Sequence, residues 1–268
     1  MNRIEERFRR ARRIGRSLFI PYITGGYPDM ETCRRILEAM VESGAEIIEL
    51  GIPFSDPIAD GVTIQEATFK ALQAGATPRK VLELAKEISS RHDVSIVILT
   101  YLNPAYRMGL RRFMEEALRH GVSGVIIPDL PLEEAGPVKR IAMEHEISLV
   151  LLAAPTTSDG RLARILDETM GFAYLVSLTG TTGERDFLPP TAIQLLRRSK
   201  NLNPEKLVAV GFGVSRPDQA VKLARLGADG IIAGSRIISE IKRNPVSPEK
   251  AVERLVKGFV DVLSDPGQ

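Results

Sequence analysis

Residues 226–232, LGADGII, join the end of a helical pattern to a short apolar run. Gly227 can adopt the left-handed backbone conformation that lets a chain leave a helix end. The same kind of joint recurs at residues 43–48, SGAEII, and at residues 120–126, HGVSGVI. The repeated unit is therefore a helix, a glycine and a buried strand.

Eight such units can be counted along the 268 residues, and α/β barrels commonly take about 250. The apolar runs alternate little, which is typical of parallel strands buried under helices on both faces. We therefore predict an α/β protein, one (β/α)8 TIM-barrel domain over residues 1–268, rather than an open doubly wound sheet. An extra basic helix at the N-terminus is expected to cap the barrel bottom. The predicted strands are 18–24, 46–51, 95–101, 124–129, 148–153, 173–177, 207–211 and 230–233.

The composition narrows the class of protein. Acidic and basic residues are interleaved and the net charge is only +2, so a nucleic-acid partner is not expected. Cys33 is the single cysteine, which rules out an intrachain disulfide and fits a reducing compartment. No apolar run reaches the roughly 18 residues of a membrane span, and the N-terminus lacks a signal-peptide pattern. We expect a cytoplasmic protein without a membrane partner.

Residues 49–61, ELGIPFSDPIADG, place three carboxylates at and after the end of the second strand. Glu49 would face the barrel mouth, where burial among apolar neighbours should raise its pKa toward neutrality and suit it to proton transfer. The alternative is an ion pair with a lysine or arginine inside the barrel top.

The other carboxylates near strand ends allow structural as well as catalytic interpretations. Asp60 is either a helix cap or an anion held for a developing positive charge. Asp56 reads as a turn former or a surface contact. Asp129, after the fourth strand, is expected to make a structural ion pair rather than to act in catalysis.

Glycines at two other strand ends suggest a phosphate site. The run Gly211-Phe212-Gly213 ends the seventh strand, and Gly234 with Ser235 ends the eighth. This part of a barrel often cradles phosphate through backbone N–H groups, although plain turns would have the same composition. Gly183, in the long loop of residues 179–190, could supply another N–H group.

Lysine and histidine positions exclude two mechanisms of carbon–carbon bond cleavage. Every lysine falls in a helical or loop pattern, so no Schiff-base lysine is expected inside the barrel. His92, His120 and His145 lie at helix ends that lead into strands, on the face opposite a barrel active site, so no metal site is expected. Acid–base chemistry by carboxylates on a phosphate-bearing substrate remains.

Several ordered motifs run along nearly the whole chain in addition to ELGIPFSDPIADG. They are PYITGGYP at 21–28, YLNP at 101–104, PDLP at 128–131, APTT at 154–157, GTTG at 180–183 and GFGVS at 211–215. Together they resemble the motifs of the tryptophan synthase alpha chain family, for which ELGIPFSDPIADG is the most specific.

The resemblance implies a (β/α)8 lyase of tryptophan biosynthesis that cleaves indole-3-glycerol phosphate to indole and D-glyceraldehyde 3-phosphate. Glu49 would be the acid–base residue, and Asp60 would hold the indole nitrogen. Thr182 would belong to a closing loop and Asp56 would face the partner. The phosphate would be bound by Gly183, Gly213, Gly234 and Ser235, and the indole pocket would be lined by Tyr22, Leu99, Ile126, Tyr174 and Phe212.

The resemblance also implies a partner. Indole would pass to a beta chain in an alpha2beta2 heterotetramer, and that chain would carry pyridoxal phosphate, with no cofactor in this one. Tyr22, Val62, Pro128 and Leu178 depart from the residues frequent in the family and could alter the pocket and its closure. Three other functions stay open, namely a stand-alone indole-glycerol-phosphate lyase, another phosphate-binding barrel such as an isomerase of histidine biosynthesis, and a non-catalytic activator of the partner.

Overall fold

Parallel strands form the centre of the molecule in this computed structural model, which describes residues 3–177 and 188–264. Their order in the sheet is β5-β4-β3-β2-β1-β9-β8-β7-β6, and each neighbouring pair is parallel. The strands are β1 Leu18–Thr24, β2 Ile47–Gly51, β3 Ser95–Leu99, β4 Val122–Ile126, β5 Ser148–Val150, β6 Leu152–Ala153, β7 Ala173–Val176, β8 Val208–Gly211 and β9 Gly230–Ala233.

The sheet closes on itself through the short strands β5 and β6. They stand at opposite ends of the strand order, yet only Leu151 separates them in the chain. They are the two halves of the predicted fifth strand, one paired with β4 and the other with β7. The predicted (β/α)8 barrel is therefore confirmed.

Helices surround the barrel and connect its strands. Thr77 caps α4 by accepting a hydrogen bond from the Lys80 N–H at 3.3 Å, and Pro78 opens that helix as predicted. The helices are α1 Arg3–Arg13, α2 Met30–Glu42, α3 Val62–Gln73, α4 Pro78–Arg91, α5 Leu102–Met108, α6 Leu110–Arg119, α7 Ala135–Glu144, α8 Asp159–Glu168, α9 Pro190–Leu202, α10 Pro217–Arg225, α11 Ser235–Arg243 and α12 Pro248–Ser264, with a 3₁₀ turn at Leu132–Glu134.

The three glycine joints have the predicted backbone. Gly44, Gly121 and Gly227 have φ values of 95°, 72° and 95°, in the region that favours glycine. The boundaries of the fourth strand differ from the prediction, because it covers Val122–Ile126 instead of 124–129. Pro128 has no N–H group for a strand ladder, which fits the earlier exit of the chain from the sheet.

The strands have one apolar layer on each face. The larger one fills the space between the sheet and the helices. The smaller one fills the barrel interior and includes Ile4, Phe8 and Ala11 from α1. The Phe8 ring lies 5.3 Å from the Phe172 ring, which lies 6.3 Å from the Tyr174 ring. Helix α1 thus closes the bottom of the barrel, as the sequence predicts, by placing its apolar face inside.

Within the described ranges, no helix combines the length and the apolar character that crossing a bilayer requires.

Phe8→Ala tests the contribution of α1 to stability. Phe8 is fully buried at the barrel bottom, so the substitution leaves a cavity and should lower the free energy of unfolding by about 3–5 kcal/mol. Urea unfolding measures the change. The matched control is Phe69→Ala, at a side chain that is 62% exposed, with an expected change within about 0.5 kcal/mol. Equal effects of the two substitutions would contradict a supporting role for α1.

Candidate active site

A cavity of about 510 Å³ opens at the carboxyl ends of the barrel strands, the face where barrel enzymes place their active sites. Carboxylates from the second strand and its loop lie in its wall, as do glycines that follow the last two strands. The described lining residues are Tyr22, Glu49, Ile58, Ala59, Asp60, Ile64, Leu99, Pro128, Leu152, Ala153, Ala154, Thr157, Tyr174, Val176, Ser177, Gly211, Gly213, Val214, Ile232, Gly234, Ser235 and Arg236.

Glu49 is an ionisable residue whose side chain is almost completely buried. It pairs in register with Tyr22 on β1 and Val97 on β3, and it is only 2% exposed. Its Oε2 has no hydrogen-bond partner, and no lysine or arginine of the described ranges forms an ion pair with it. Burial, with a smaller effect from the charge of Asp60, raises the pKa of Glu49 to about 8. The pKa of Glu49 is therefore shifted toward neutrality, as predicted. The alternative, an ion pair with a lysine or arginine, is not found in the described ranges.

Asp60 does not cap the helix that follows it. The N-cap residue of α3 is Gly61, and no side chain completes that cap. Burial raises the pKa of Asp60 to about 6, and a hydrogen bond from Tyr101 acts in the opposite direction. At pH 7 Asp60 is therefore mainly ionised, whereas Glu49 is mainly protonated.

Tyr101 supports Asp60, and sequence analysis gave it no role. The Ala59 N–H donates to Tyr101 Oη at 2.9 Å, and the Tyr101 hydroxyl donates to the Asp60 carboxylate. Its ring packs 5.5 Å from the ring of Phe54 and is 2% exposed. The sequence signals were an aromatic residue at the end of the predicted third strand and its place in the YLNP motif.

Asp129 and Asp56, the other two aspartates considered from the sequence, do not line the cavity. Asp129 accepts a hydrogen bond from the Leu102 N–H at 2.9 Å and so joins the segments after β3 and β4. Its contact is structural, as predicted, but it is made with the backbone rather than with a cation. Asp56 is exposed and accepts a hydrogen bond from the Ser55 hydroxyl at 2.5 Å.

The glycine-rich side of the cavity forms where β8 and β9 end. Gly213, Gly234 and Ser235 line it, and Gly213 has a φ of 75°. A Cβ on Gly211 would lie 2.7 Å from the Tyr174 ring, so a larger residue would not fit there. Helix α11 begins at Ser235, and the first N–H groups of a helix lack partners within it. This side is suited to an anion.

Three of the five predicted pocket residues line the cavity, namely Tyr22, Leu99 and Tyr174. Phe212, which directly follows β8, is fully buried in the outer apolar layer. Ile126 is fully buried in the barrel interior. Thr182 and Gly183 lie outside the described residues. Sequence analysis did not identify Ile64, Leu152, Val176 and Ile232 as apolar lining residues.

The three histidines lie where the sequence placed them. His92, His120 and His145 are the C-cap residues of α4, α6 and α7, which lead into strands at the opposite end of the barrel from the cavity.

Tyr101→Phe tests the hydrogen bond to Asp60. The bond favours the ionised carboxylate, so its loss should raise the pKa of Asp60, by about 1 unit. Carbon-13 NMR titration of the aspartate carboxyls measures this pKa. Tyr106→Phe, at a tyrosine that is 69% exposed, is the matched control and should leave it unchanged. An unchanged Asp60 pKa in Tyr101→Phe would contradict the interaction.

Glu49→Gln tests the cost of burying the carboxyl. In the unfolded chain a glutamate titrates near its ordinary pKa of about 4.3. Between that value and about 8 the unfolded chain ionises while the folded chain keeps the proton, so the stability of the folded state falls as pH rises. Glutamine cannot ionise, so the variant should be more stable than the parent at pH 8 by on the order of 2–4 kcal/mol.

Urea unfolding of Glu49→Gln at pH 5 and at pH 8 measures this difference, which should shrink toward pH 5. Glu115→Gln, at an exposed position on α6, should show no such trend. A constant difference at both pH values would contradict the raised pKa.

The sequence of this chain is similar to those of known proteins over most of its length. A model of the family described as tryptophan synthase alpha chain matches residues 8–262. The tryptophan synthase alpha chain of Pyrococcus furiosus is 49% identical over 222 residues, which cover 83% of this chain and 89% of that one. The alpha chain of Picosynechococcus sp. is 42% identical over 265 residues, 99% of both chains.

Solved structures agree with these sequence relatives. Tryptophan synthase from Mycobacterium tuberculosis superposes with a TM-score of 0.91 at 33% identity, over 98% of both chains. The tryptophan synthase a2b2 complex from Pyrococcus furiosus gives a TM-score of 0.86 at 44% identity, over 92% of this chain and 98% of that one. The barrel, the cavity and the similarity over nearly the whole length lead to one conclusion: this chain belongs to the tryptophan synthase alpha chain family.

Proposed function

We propose that the chain is a carbon–carbon lyase of tryptophan biosynthesis that cleaves indole-3-glycerol phosphate to indole and D-glyceraldehyde 3-phosphate. The observation that carries this proposal is a pair of carboxyls in one cavity, the buried Glu49 and the half-buried Asp60, with pKa values of about 8 and about 6. Two carboxyls whose environments separate their pKa values suit a proton donor and an anionic stabiliser.

Glu49 begins the reaction as an acid. Its proton passes to C3 of the indole ring, which turns the ring into an indoleninium cation. The ionised Asp60 accepts a hydrogen bond from the ring N–H and stabilises that charge. The hydrogen bond from Tyr101 lowers the pKa of Asp60 and so favours this ionised form.

Glu49 then acts as a base. Its carboxylate removes the proton from the hydroxyl on the glycerol carbon attached to C3. The carbon–carbon bond breaks, its electron pair restores the aromatic ring, and the hydroxyl carbon becomes the aldehyde carbon. Glu49 ends the cycle protonated, which a carboxyl with a pKa near neutrality permits in both directions.

The cavity suits an aromatic substrate with a phosphate at one end. Its volume of about 510 Å³ lies within the usual range for small-molecule sites, roughly 300–1,000 Å³. Tyr22, Leu99 and Tyr174 offer apolar surface near the carboxyls. Gly213, Gly234 and Ser235 offer N–H and hydroxyl groups for the phosphate, and Gly183 and Thr182 are assigned by resemblance alone.

We also propose that a beta chain receives the indole, as part of an alpha2beta2 heterotetramer. The Pyrococcus furiosus relative is an a2b2 complex. Near Asp56, the loop after β2 exposes Ile58 and the start of α3 exposes Val62, with exposed fractions of 81% and 64%. Exposed apolar residues of this kind are common at partner surfaces. Any pyridoxal phosphate would belong to the partner, as the resemblance implies.

The main test is indole release by the purified chain with its beta chain. Glu49→Gln should bind the substrate but lower kcat by at least about 1,000-fold, because both proton transfers need this carboxyl. Asp60→Asn should lower kcat by about 100-fold or more while the fold is kept. Glu115→Gln, an exposed glutamate on α6, is the control with parental kcat.

Three results would contradict parts of the proposal. Substantial indole release by Glu49→Gln would remove its assigned role. No indole from the parent chain, with or without the beta chain, would favour a non-catalytic activator. A rate independent of the beta chain would favour a stand-alone lyase.

A further inference from the structure

Arg236 lies at the glycine-rich side of the cavity, next to Ser235, and the family resemblance gave it no role. It is the one lysine or arginine among the described residues that line the cavity. Its side chain is only 18% exposed. The other charged groups in the described wall are the carboxyls of Glu49 and Asp60. Arg236 therefore adds a basic residue to the wall on the side where the proposed phosphate would bind.

The position of Arg236 in its helix is electrostatically unfavourable. It is the second residue of α11, where the helix dipole places positive partial charge, and the first turn of this helix has no acidic residue. A phosphate beside the first turn would interact favourably with both the guanidinium and the N–H groups.

Glu240 holds the guanidinium from the next turn of the helix. Arg236 Nη1 lies 2.6 Å from Glu240 Oε2, and Asn244 Nδ2 donates to Glu240 Oε1 at 3.0 Å. Both oxygens of Glu240 are therefore occupied, which fixes its orientation. A guanidinium has five N–H donors in a planar fork, so Arg236 can contact Glu240 and a phosphate together.

The charge of the substrate favours such a group. A phosphate monoester carries nearly two negative charges at neutral pH, and it would enter a cavity that already contains the ionised Asp60. The backbone N–H groups and the Ser235 hydroxyl are uncharged. We propose that the Arg236 guanidinium binds the substrate phosphate beside Ser235; this inference rests on the proposed lyase function.

The phosphate is remote from the bond that breaks, so its contact with Arg236 is the same before and during the reaction. Loss of such a contact raises KM and leaves kcat nearly unchanged. For a charge-assisted hydrogen bond the expected rise in KM is about 10- to 100-fold.

Steady-state indole release by the chain with its beta chain tests the proposal, with KM and kcat measured for Arg236→Gln, Arg236→Lys and the parent. Arg236→Gln should show the full rise in KM. Arg236→Lys should show a smaller one, because lysine keeps the charge but loses the planar fork. Binding of glycerol 3-phosphate, measured by calorimetry, should weaken in the same order.

Lys242→Gln is the matched control, since it removes one positive charge from the same helix at a side chain that pairs with Glu66 outside the described cavity wall. Its KM should stay within about twofold of the parent. The lysine variant keeps the test decisive if Arg236→Gln does not fold.

A parental KM in Arg236→Gln or, if that variant does not fold, in Arg236→Lys, while the parent chain releases indole, would overturn this inference and leave the proposed function intact. A fall in kcat without a rise in KM would also overturn it, because it would indicate a structural effect. Absence of indole release by the parent would instead overturn the proposed function, and this inference with it.

Discussion

The chemistry of this chain depends on the desolvation of one carboxyl group. Glu49 lies near the end of a strand, 2% exposed, with apolar neighbours and with one oxygen that has no hydrogen-bond partner. Water would stabilise the ionised form, but the side chain is buried away from water. The pKa of Glu49 therefore rises to about 8, and the carboxyl keeps its proton at neutral pH. The same burial costs stability at neutral and alkaline pH. The closed barrel and its apolar layers hold the strand in place and offset this loss of stability.

The rest of the cavity wall provides an anionic carboxyl, aromatic surface and a side suited to an anion. Tyr101, which follows β3, lowers the pKa of the Asp60 carboxyl, and its hydroxyl accepts a hydrogen bond from the Ala59 N–H. The glycines after β8 and β9 leave room for the rings of Tyr22 and Tyr174 and for backbone approach by an anion. Arg236 adds a basic residue to a cavity wall that also contains the carboxyls of Glu49 and Asp60 and the rings of Tyr22 and Tyr174.

Much of this was predictable from local sequence. Glycine joints such as Gly227 and the unalternating apolar runs predicted the barrel, because helix ends and buried strands obey short-range rules. Glu49 could be placed because a strand end in a barrel faces the mouth. Contacts between distant segments were not predictable. Tyr101 meets Asp60 across 41 positions of the sequence, Phe212 faces away from the cavity, and Arg236 reads in sequence as an ordinary helix residue.

Direct titration of the Glu49 carboxyl tests the central claim most closely. Carbon-13 NMR of the glutamate-labelled chain, with Glu49→Gln used to assign the signal, reports the protonation of this group as pH is raised. The account predicts a midpoint near 8. A midpoint near the ordinary glutamate value of about 4.3 would show that the carboxyl is ionised at neutral pH and would contradict its role as the proton donor.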